Sequence, residues 1–396
     1  MNYSKLYLKP KKEDSLLRFH PWVFSGAVAQ ISGAVQEGDI VDVYSSDNRF
    51  LGTGHYQIGS ICVRILSFEQ ITVNQDFLRE RIGSAYNLRN SLHLVKGCTN
   101  NTYRLIHGEG DMLPGLIIDV YDKTAVIQAH SVGMHRMRND ISNALSDVMN
   151  GQITSVFYKS EGTLPYKACL HEENEYLFGN EKDASHIAIE NGLKFHIDWQ
   201  KGQKTGFFID QRDNRKLLQQ YAAGRKALNM FCYTGGFSVY ALQGGASLVH
   251  SVDSSVRAVA IANENVALNF SDDTRHQAFA EDAFNFMENI DNKYDLIILD
   301  PPAFAKHRDA LRNALRGYQK LNAVAISKIQ KGGILFTFSC SQIVSRQDFR
   351  LAVFSAAAQT GRKVRILHQL SQPADHPVNI YHPESEYLKG FVLQIE

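Results

Sequence analysis

The chain has 396 residues, and its 42 Lys and Arg face 41 Asp and Glu, which gives a formal net charge of +1. This balance excludes a globally basic nucleic-acid binder, so any nucleic-acid site has to be a local patch. The hydrophobic content of 44% excludes disorder as the main state and is sufficient for folded cores.

The sequence shows no apolar run near the roughly 20 residues that cross a bilayer, and its first residues include no apolar segment. We therefore expect neither a membrane span nor a signal peptide. The five cysteines are scattered and form no C-x-x-C pair, so we expect no metal site and no disulfide framework. They are Cys62, Cys98, Cys169, Cys232 and Cys340. A reduced, cytoplasmic location fits this pattern best.

Three short strand-like runs, at 39–45, 50–57 and 61–68, predict a small β-barrel or sandwich over residues 1–72. Residues 73–180 are typical of a central α+β domain. Helical spacing covers 75–92 and 133–149, and strand-like stretches occupy 104–121, 124–130 and 155–160.

The third predicted domain, 181–396, opens with a hairpin signal at 187–197, where Asn191-Gly192 suits a type I′ turn. From about residue 205, strands alternate with helices, which predicts an α/β fold with a mainly parallel sheet covered on both faces. The strand candidates are 227–231, 247–253, 276–282, 294–300 and 332–340, and two further ones at 363–370 and 388–395 close the chain.

Glycines and acids follow three successive predicted strands, and open α/β sheets bind ligands at such strand ends. Gly235 and Gly236 let the backbone turn tightly and approach a ligand. Asp253 is placed for ribose hydroxyls, and Glu281-Asp282 for an adenine edge. This set favours an adenosine-containing cofactor, although a structural turn with three solvated acids is the alternative. The loop lacks G-x-G-x-x-G, which argues against a nicotinamide dehydrogenase.

The fourth predicted strand of this sheet ends in Asp300-Pro301-Pro302, and Phe304 follows. Two prolines fix an extended backbone and remove two N–H donors. The carbonyls that this exposes suit a planar, amino-bearing base, on which Phe304 is available to stack.

Cys340 ends the fifth predicted strand and faces the same crevice as Asp300. A thiolate is the soft nucleophile needed for addition to C6 of a pyrimidine, which turns C5 into a carbon nucleophile. An inert buried cysteine is the alternative, and Cys232, beside the cofactor loop, is a rival thiol.

A basic stripe follows the D-P-P loop, with Arg308, Arg312, Arg316 and Lys320 recurring every four residues. On a helix they share one face, which suits contacts with phosphates, and a solvated helix face is the alternative. His376, in a loop before the last strand, could orient a substrate or act as a base; an ordinary surface histidine is the other interpretation.

Seven separated motifs, in order, resemble the bacterial ribosomal RNA large-subunit methyltransferase I family of class I S-adenosylmethionine (SAM)-dependent enzymes. They are KTGFFIDQRDNR (204–215), NMFCYTGGFSV (229–239), SVD (251–253), LDPPAF (299–304), TFSCS (337–341), ADHP (374–377) and YLKGF (387–391). HPWVFSGAV (20–28) and EGDIVDVY (37–44) resemble the family's RNA-binding PUA domain, and 104–119 resembles its central domain. The resemblance covers essentially the whole chain. It implies 5-methylcytosine formation in 23S rRNA, a seven-stranded sheet, and a homodimer as one assembly.

The resemblance also implies roles for individual residues. Asp253 would take the ribose hydroxyls of SAM, and Asp282 the adenine amino group. Asp300 would line the cofactor site and help to activate the target base, and Cys340 would be the nucleophile. The cofactor loop would comprise Asn229, Phe231, Tyr233, Thr234, Gly235 and Gly236.

Many RNA cytosine-5 methyltransferases carry a second cysteine where this chain has Pro302, a departure that the resembled family shares. The C5 proton must then leave by another base, for which Asp300, His376 and ordered water are candidates. Two other functions stay open at this point. D-P-P loops also serve methylation of exocyclic amines of adenine or guanine, which needs no cysteine, and a non-catalytic RNA-binding or assembly factor could retain the fold.

Overall fold

The computed structural model describes residues 3–95, 97, 99–165, 173–291, 293–305 and 307–396. Cys98 and Cys169 of the sequence analysis lie outside the described residues. The chain forms two compact units. The first contains the chain up to Ile189 with Ile197–Ile209 and Ala374–Ser385, and the second contains Glu190–His196, Asp210–Pro373 and Glu386–Glu396. Among the described residues, no helix is both long enough and apolar enough to cross a membrane.

The first unit begins with a six-stranded sheet and one short helix. Its elements are β1 (Ser4–Leu8), α1 (Asp14–Leu17), β2 (Trp22–Phe24), β3 (Val28–Ile31), β4 (Ile40–Tyr44), β5 (Phe50–Tyr56) and β6 (Ile61–Ser67). The strand order is β2-β6-β5-β4-β1-β3, and β1 and β4 are the parallel pair. The three strands predicted over residues 39–68 are confirmed as β4, β5 and β6.

A second sheet follows in the same unit. Its elements are α2 (Gln75–Ser91), β7 (Thr102–His107), β8 (Leu116–Tyr121), β9 (Thr124–Ala129), α3 (Val132–Arg136), α4 (Arg138–Met149), β10 (Ser155–Tyr158) and β11 (Glu175–Phe178). The strand order is β11-β10-β9-β8-β7. Helix α2 buries Leu78, Ile82 and Ala85 in this core, as its spacing predicts.

Two predicted elements in this region differ in detail. The stretch 104–121 contains two strands, because a 3-10 turn at Gly108–Asp111 separates β7 from β8. The helix predicted over 133–149 is interrupted at Met137, where α3 ends and α4 begins. The predicted hairpin is confirmed as β12 (Ile187–Glu190) and β13 (Leu193–His196). Asn191 and Gly192 have φ of 51° and 83°, the positive values that a type I′ turn requires.

The second unit is a seven-stranded α/β sheet. Its elements are α5 (Arg212–Tyr221), β14 (Lys226–Met230), α6 (Gly236–Gln243), β15 (Leu248–Asp253), α7 (Val256–Asn269), β16 (His276–Ala280), α8 (Ala283–Asn289), β17 (Leu296–Leu299), α9 (Leu311–Lys328), β18 (Gly333–Ser339), α10 (Arg346–Thr360), β19 (Val364–Ser371) and β20 (Lys389–Ile395). The strand order is β16-β15-β14-β17-β18-β20-β19, and β20 runs antiparallel to both of its neighbours.

Strand order reverses between β14 and β17, and ligands of open α/β sheets bind at such a switch point. Met230, at the end of β14, pairs with Val252 and with Leu299, and Leu299 pairs with Thr337 of β18. The loops after these parallel strands therefore emerge at one edge of the sheet. The α/β prediction is confirmed. The division into three domains, with boundaries at 72/73 and 180/181, stays a prediction.

Candidate active site

The loop after β14 has an unusual backbone. Phe231, Tyr233 and Gly235 have φ of 58°, 46° and 77°, and such positive values are uncommon outside glycine. The carboxylate of Asp253 accepts a hydrogen bond from the Tyr233 N–H at 2.9 Å, which holds the loop against the end of β15. A Cβ atom at Gly235 would come within 2.9 Å of the Ala262 Cβ on α7, so this position needs glycine.

A buried polar chain lies beside this loop. The Asn229 side chain donates to the Ser238 hydroxyl at 2.8 Å, the two hydroxyls of Ser238 and Ser251 are 2.6 Å apart, and Ser251 contacts His276 Nε2 at 2.8 Å. Asn229 Oδ1 and Thr234 Oγ1 are buried with no hydrogen-bond partner among the described residues. Since buried oxygens are normally satisfied, these two indicate a polar ligand at the loop.

Acidic residues occupy the ends of the next two strands. Asp253 is half-buried and also accepts a hydrogen bond from the Ser255 N–H at 2.9 Å. Asp282 is exposed, and its Oδ1 caps α8 by accepting from the Phe284 and Asn285 N–H groups, both at 3.0 Å. The site thus combines a glycine turn with two acids, one at the end of β15 and one just after β16. This set of donors and acceptors fits SAM.

Asp300 follows β17 and lies near two charged side chains, Asp210 and Arg215. Burial raises the pKa of Asp300 to about 7, and the negative charge of Asp210 raises it further. A hydrogen bond from Gln211 and the positive charge of Arg215 oppose this rise. Arg215 is buried in a two-bond ion pair with Glu190, at 2.9 and 2.7 Å, so part of its charge is already compensated. The Asp300 carboxyl can consequently carry a proton near neutral pH.

Cys340, directly after β18, faces the loop that follows β17. Its Sγ lies 3.8 Å from the Pro301 carbonyl oxygen, and the Ser341 hydroxyl donates to the Ala305 carbonyl at 2.6 Å. Cys340 is half-buried, whereas the rival Cys232 is 6% exposed. Burial and the charge of Asp253 raise the pKa of the Cys232 thiol. Of these two thiols, Cys340 is therefore the more accessible one at the site.

The residues of the D-P-P loop differ in their exposure to solvent. Pro301 is buried and Pro302 is exposed. Phe304 is half-buried and packs against Tyr318 of α9, with ring centroids 4.6 Å apart. A Cβ atom at Gly317 would lie 3.0 Å from the Phe304 ring, so this glycine leaves room for the phenyl group. Part of the Phe304 ring is already covered by Tyr318. Stacking of Phe304 on a base stays a prediction.

The predicted basic stripe lies on the surface of α9 and of the turn before it. Arg308, Arg312 and Arg316 are exposed and line a groove of about 540 Å³. Asp348, Leu351, Ala352 and Ser355 of α10 are among the residues lining the groove. Lys320 is exposed as well, but its ammonium pairs with Glu288 at 3.3 Å and lies 5.6 Å from the centroid of the Phe284 ring.

His376 belongs to the first unit and is 1% exposed. Its Nδ1 lies 3.1 Å from Asp375, and its ring packs on His107 with centroids 5.1 Å apart. Asp375 is itself held by the Arg104 N–H at 3.0 Å. The alternative of an ordinary surface histidine is thus wrong, because Asp375 and His376 of the ADHP motif are both buried in this unit. A role for His376 toward the substrate stays a prediction.

A cluster of three other side chains in the first unit has metal-ligand chemistry. Ligand atoms of His20, His382 and Glu384 lie within 4.8 Å of one another. However, His20 Nδ1 accepts the Trp22 N–H at 3.3 Å, so a neutral ring carries its proton on Nε2, 3.6 Å from Glu384. A protonated Nε2 cannot bind a metal ion, and the contact is that of a histidine with a carboxylate.

Sequence reasoning assigned no role to two residues beside Asp300. Asp210 and Gln211 lie in the KTGFFIDQRDNR motif, and Asp210 accepts a hydrogen bond from the Tyr387 hydroxyl at 2.7 Å. The motif itself was the only signal, because the proximity of Asp210 to Asp300 arises from the fold.

Comparison with known proteins agrees with these features. Residues 157–379 match the S-adenosylmethionine-dependent methyltransferase family, and residues 6–68 match the PUA-like domain. The chain is 38% identical to ribosomal RNA large subunit methyltransferase I of Aeromonas hydrophila and 40% identical to that of Pseudoalteromonas atlantica, with 99% of each chain covered. A crystal structure of a methyltransferase complexed with SAH shares the fold, with a TM-score of 0.84 at 24% identity over both full chains.

Proposed function

The chain belongs to the ribosomal RNA large subunit methyltransferase I family, whose members are SAM-dependent, and on this premise we propose that it methylates C5 of a cytosine in 23S rRNA through a covalent adduct of Cys340. The observation that carries the mechanism is the contact of an accessible Cys340 with the Pro301 carbonyl, next to Asp300. A nucleophilic thiol and a carboxyl that can hold a proton are the two groups that pyrimidine C5 chemistry requires.

The residues around the β14 loop would hold the cofactor. Asn229 and Thr234 supply the buried oxygens that lack partners among the described residues, and Asp253 and Asp282 supply carboxylates for the ribose and the adenine. When bound, SAM supplies a methyl group on a sulfonium, which a carbon nucleophile can accept.

Asp300 and Cys340 would act on opposite sides of the target ring. A protonated Asp300 donates to cytosine N3, which withdraws electrons from C6. The Cys340 thiolate then forms a bond to C6, and the electron pair of the C5–C6 double bond makes C5 nucleophilic. After C5 has gained the methyl group, its proton leaves, the double bond re-forms and the C6–S bond breaks to release the thiolate. The carboxylate that Asp300 becomes after it transfers its proton to N3 would take the C5 proton, directly or through a water, and N3 would release its proton to solvent. His376 is buried.

A cytosine in folded RNA reaches such a site only when it is unstacked or flipped out. The arginines of α9 and of the turn before it would bind phosphates on either side of the target, because this segment follows the D-P-P loop and its groove carries Arg308, Arg312 and Arg316. The PUA-like and central domains would hold the surrounding RNA, either free or in a large-subunit assembly intermediate. A cytoplasmic location and a homodimer belong to the same proposal.

The test uses purified protein, labelled SAM and 23S rRNA that lacks its own modifications. The RNA is digested, and the methylated nucleoside is identified by mass. We expect 5-methylcytosine from the wild type and from Cys232→Ala, and none from Cys340→Ala, although all three bind SAM.

If the product is a methylated adenine or guanine, the proposed cofactor site stands and the cysteine mechanism is overturned. No product despite SAM binding, on free RNA and on precursor particles alike, would favour the non-catalytic RNA-binding function. Near-normal activity of Cys340→Ala would show that the covalent adduct is wrong.

A further inference from the structure

Lys389, in the YLKGF motif, is a buried cation that the proposed mechanism has not used. It is the first residue of β20 and pairs with Ser339, the last residue of β18, in the antiparallel register. Only 3% of Lys389 is exposed. A buried ammonium is costly unless it is paired or hydrogen-bonded, so its partners show why it is tolerated there.

The partners of this ammonium lie in the turn that follows Cys340. Lys389 Nζ donates to the Ser341 carbonyl at 2.6 Å and to the Val344 carbonyl at 2.5 Å. Ser341 is also tied to the D-P-P loop through its hydroxyl, which donates to Ala305. The position of the Cys340 sulfur therefore depends on a turn that Lys389 holds. Two of the three ammonium N–H groups are used in these contacts within the described part of the chain.

The other charged groups around Lys389 have partners of their own. Arg346 and Glu386 form their own ion pair at 2.8 Å, and Asp348 accepts from the Ser345 hydroxyl at 2.6 Å in the cap of α10. Burial lowers the pKa of Lys389 to about 8, while Cys340, Glu386 and Asp348 oppose this fall and Arg346 adds to it. The ammonium is therefore still protonated at neutral pH.

Two other titratable groups lie near the sulfur, and the first, Asp300, precedes Pro301 and has a pKa raised to about 7, so it is partly charged at neutral pH. The Tyr318 hydroxyl, which accepts a hydrogen bond from Ser339 at 2.9 Å, interacts with Cys340, and burial raises the pKa of Tyr318 to about 12. Neutral Tyr318 neither stabilises nor destabilises a thiolate by charge, a charged Asp300 destabilises it, and the positive charge of Lys389 stabilises it.

We propose that Lys389 is a positioning residue for Cys340, whose ammonium fixes the turn that carries the sulfur and stabilises the thiolate. This inference rests on the proposed nucleophilic role of Cys340. No proton moves to or from Lys389 in the reaction. The ammonium stabilises the thiolate before it adds to C6 and again when the C6–S bond breaks.

The test measures the thiol itself, without RNA. Cys340 in the full-length protein is alkylated with iodoacetamide across a range of pH, and peptide mass spectrometry follows the modification of Cys340 separately from the other cysteines. In Lys389→Met and Lys389→Gln we expect the pH of half-maximal alkylation to rise by about one unit, so that the rate at pH 7 falls about tenfold. Lys389→Gln retains a hydrogen-bond donor, which keeps the test usable if the methionine variant unfolds. Lys389→Arg should restore most of the wild-type profile.

Arg362 provides the matched control. Its guanidinium also binds carbonyls of this unit, those of Ile326 and Ile329 at 2.7 and 2.6 Å, but at the other end of the sheet. Arg362→Met should lower stability and leave the alkylation profile of Cys340 unchanged. A folded Lys389→Gln protein with the wild-type profile would overturn the role of Lys389, whatever its activity. Normal methylation by Cys340→Ala would instead overturn the nucleophile, so the two failures are distinguishable.

Discussion

The sulfur of Cys340 lies 3.8 Å from the carbonyl oxygen of Pro301, a residue 39 positions away in the sequence. The contact follows from topology, because β17 and β18 are adjacent parallel strands and each ends directly before one of these loops. A base held at the D-P-P loop is thereby within reach of the thiol. The structure thus brings the proposed nucleophile, Cys340, next to the motif of the proposed acid, Asp300.

Covalent trapping tests this juxtaposition directly. If Cys340 adds to C6, a fluorine in place of the C5 hydrogen blocks the last elimination, because no proton can leave from C5 after methylation. With 23S rRNA that contains 5-fluorocytidine, we expect a protein–RNA complex that survives denaturing electrophoresis in the wild type and in Cys232→Ala. We expect no such complex in Cys340→Ala. Trapping that persists in Cys340→Ala would assign the bond to another side chain.

Asp300→Asn should stabilise the fold at alkaline pH while it abolishes methyl transfer. The pKa of Asp300 is raised from 3.8 to about 7, so the folded chain retains a proton that the unfolded chain releases. The stability linked to this proton is complete below about pH 4 and is lost as the pH rises through about 7. Asparagine needs no proton, so at pH 8 we expect the free energy of unfolding to increase by up to about 4 kcal/mol.

Urea unfolding of the wild type and Asp300→Asn at pH 4, 6 and 8 measures this difference. The gap between the two proteins should widen with pH, whereas the exposed Asp309→Asn control should leave the stability curve unchanged. An Asp300→Asn variant that is less stable than the wild type at pH 8 would show that the carboxylate is needed for the fold itself.

The α/β sheet and the candidate residues at the ends of its strands could be predicted from the sequence. Buried strands such as β17 and β18 contain continuous apolar runs, and each candidate at a strand end, such as Asp253 and Cys340, lies at the same edge in the structure. The pattern was weaker for short elements, and Met137 interrupts a segment whose spacing predicts a single helix.

Long-range partners could not be predicted in the same way. The Asp210 charge beside Asp300, the Glu190 partner of Arg215 and the Lys389 contacts with the Cys340 turn depend on residues far apart in the sequence. The exposure of a side chain could not be predicted from the local sequence either. The residues next to His376 are typical of a loop, but His376 is buried in the first unit.

Asp282 should show two separable functions. Its Oδ1 caps α8, and asparagine can do the same with its single side-chain oxygen, whereas alanine cannot. We expect Asp282→Ala to lose about 1 kcal/mol of stability and Asp282→Asn to lose much less. In Asp282→Asn the cap occupies the oxygen, so an NH₂ group would face the adenine amino group. Both variants should therefore bind SAM more weakly, by about tenfold or more.

Calorimetric titration with SAM and thermal unfolding separate these effects. Asp282→Asn should combine near-wild-type stability with weakened binding. An Asp282→Asn protein that binds SAM as the wild type does would remove Asp282 from the cofactor site and leave it a helix cap alone.

The arginines of α9 and of the turn before it should determine how rRNA affinity responds to salt. Each phosphate contact releases a counterion, so the slope of log affinity against log salt should become shallower by about one for each arginine removed. We expect this for Arg308→Gln, Arg312→Gln and Arg316→Gln, measured by filter binding to unmodified 23S rRNA between low and moderate salt. Lys320→Gln should have a smaller effect, because Glu288 already neutralises part of its charge.

Arg365→Gln is the control for these arginines, because Arg365 is an exposed cation of the same unit on β19 and pairs with Glu396 outside the groove. Its substitution should leave the salt slope unchanged. SAM affinity should be unchanged in all of these variants, since the groove lies between α9 and α10 and contains none of the cofactor residues. If Arg312→Gln and Arg365→Gln give equal slopes, the stripe is a solvated helix face and the RNA is bound elsewhere on the chain.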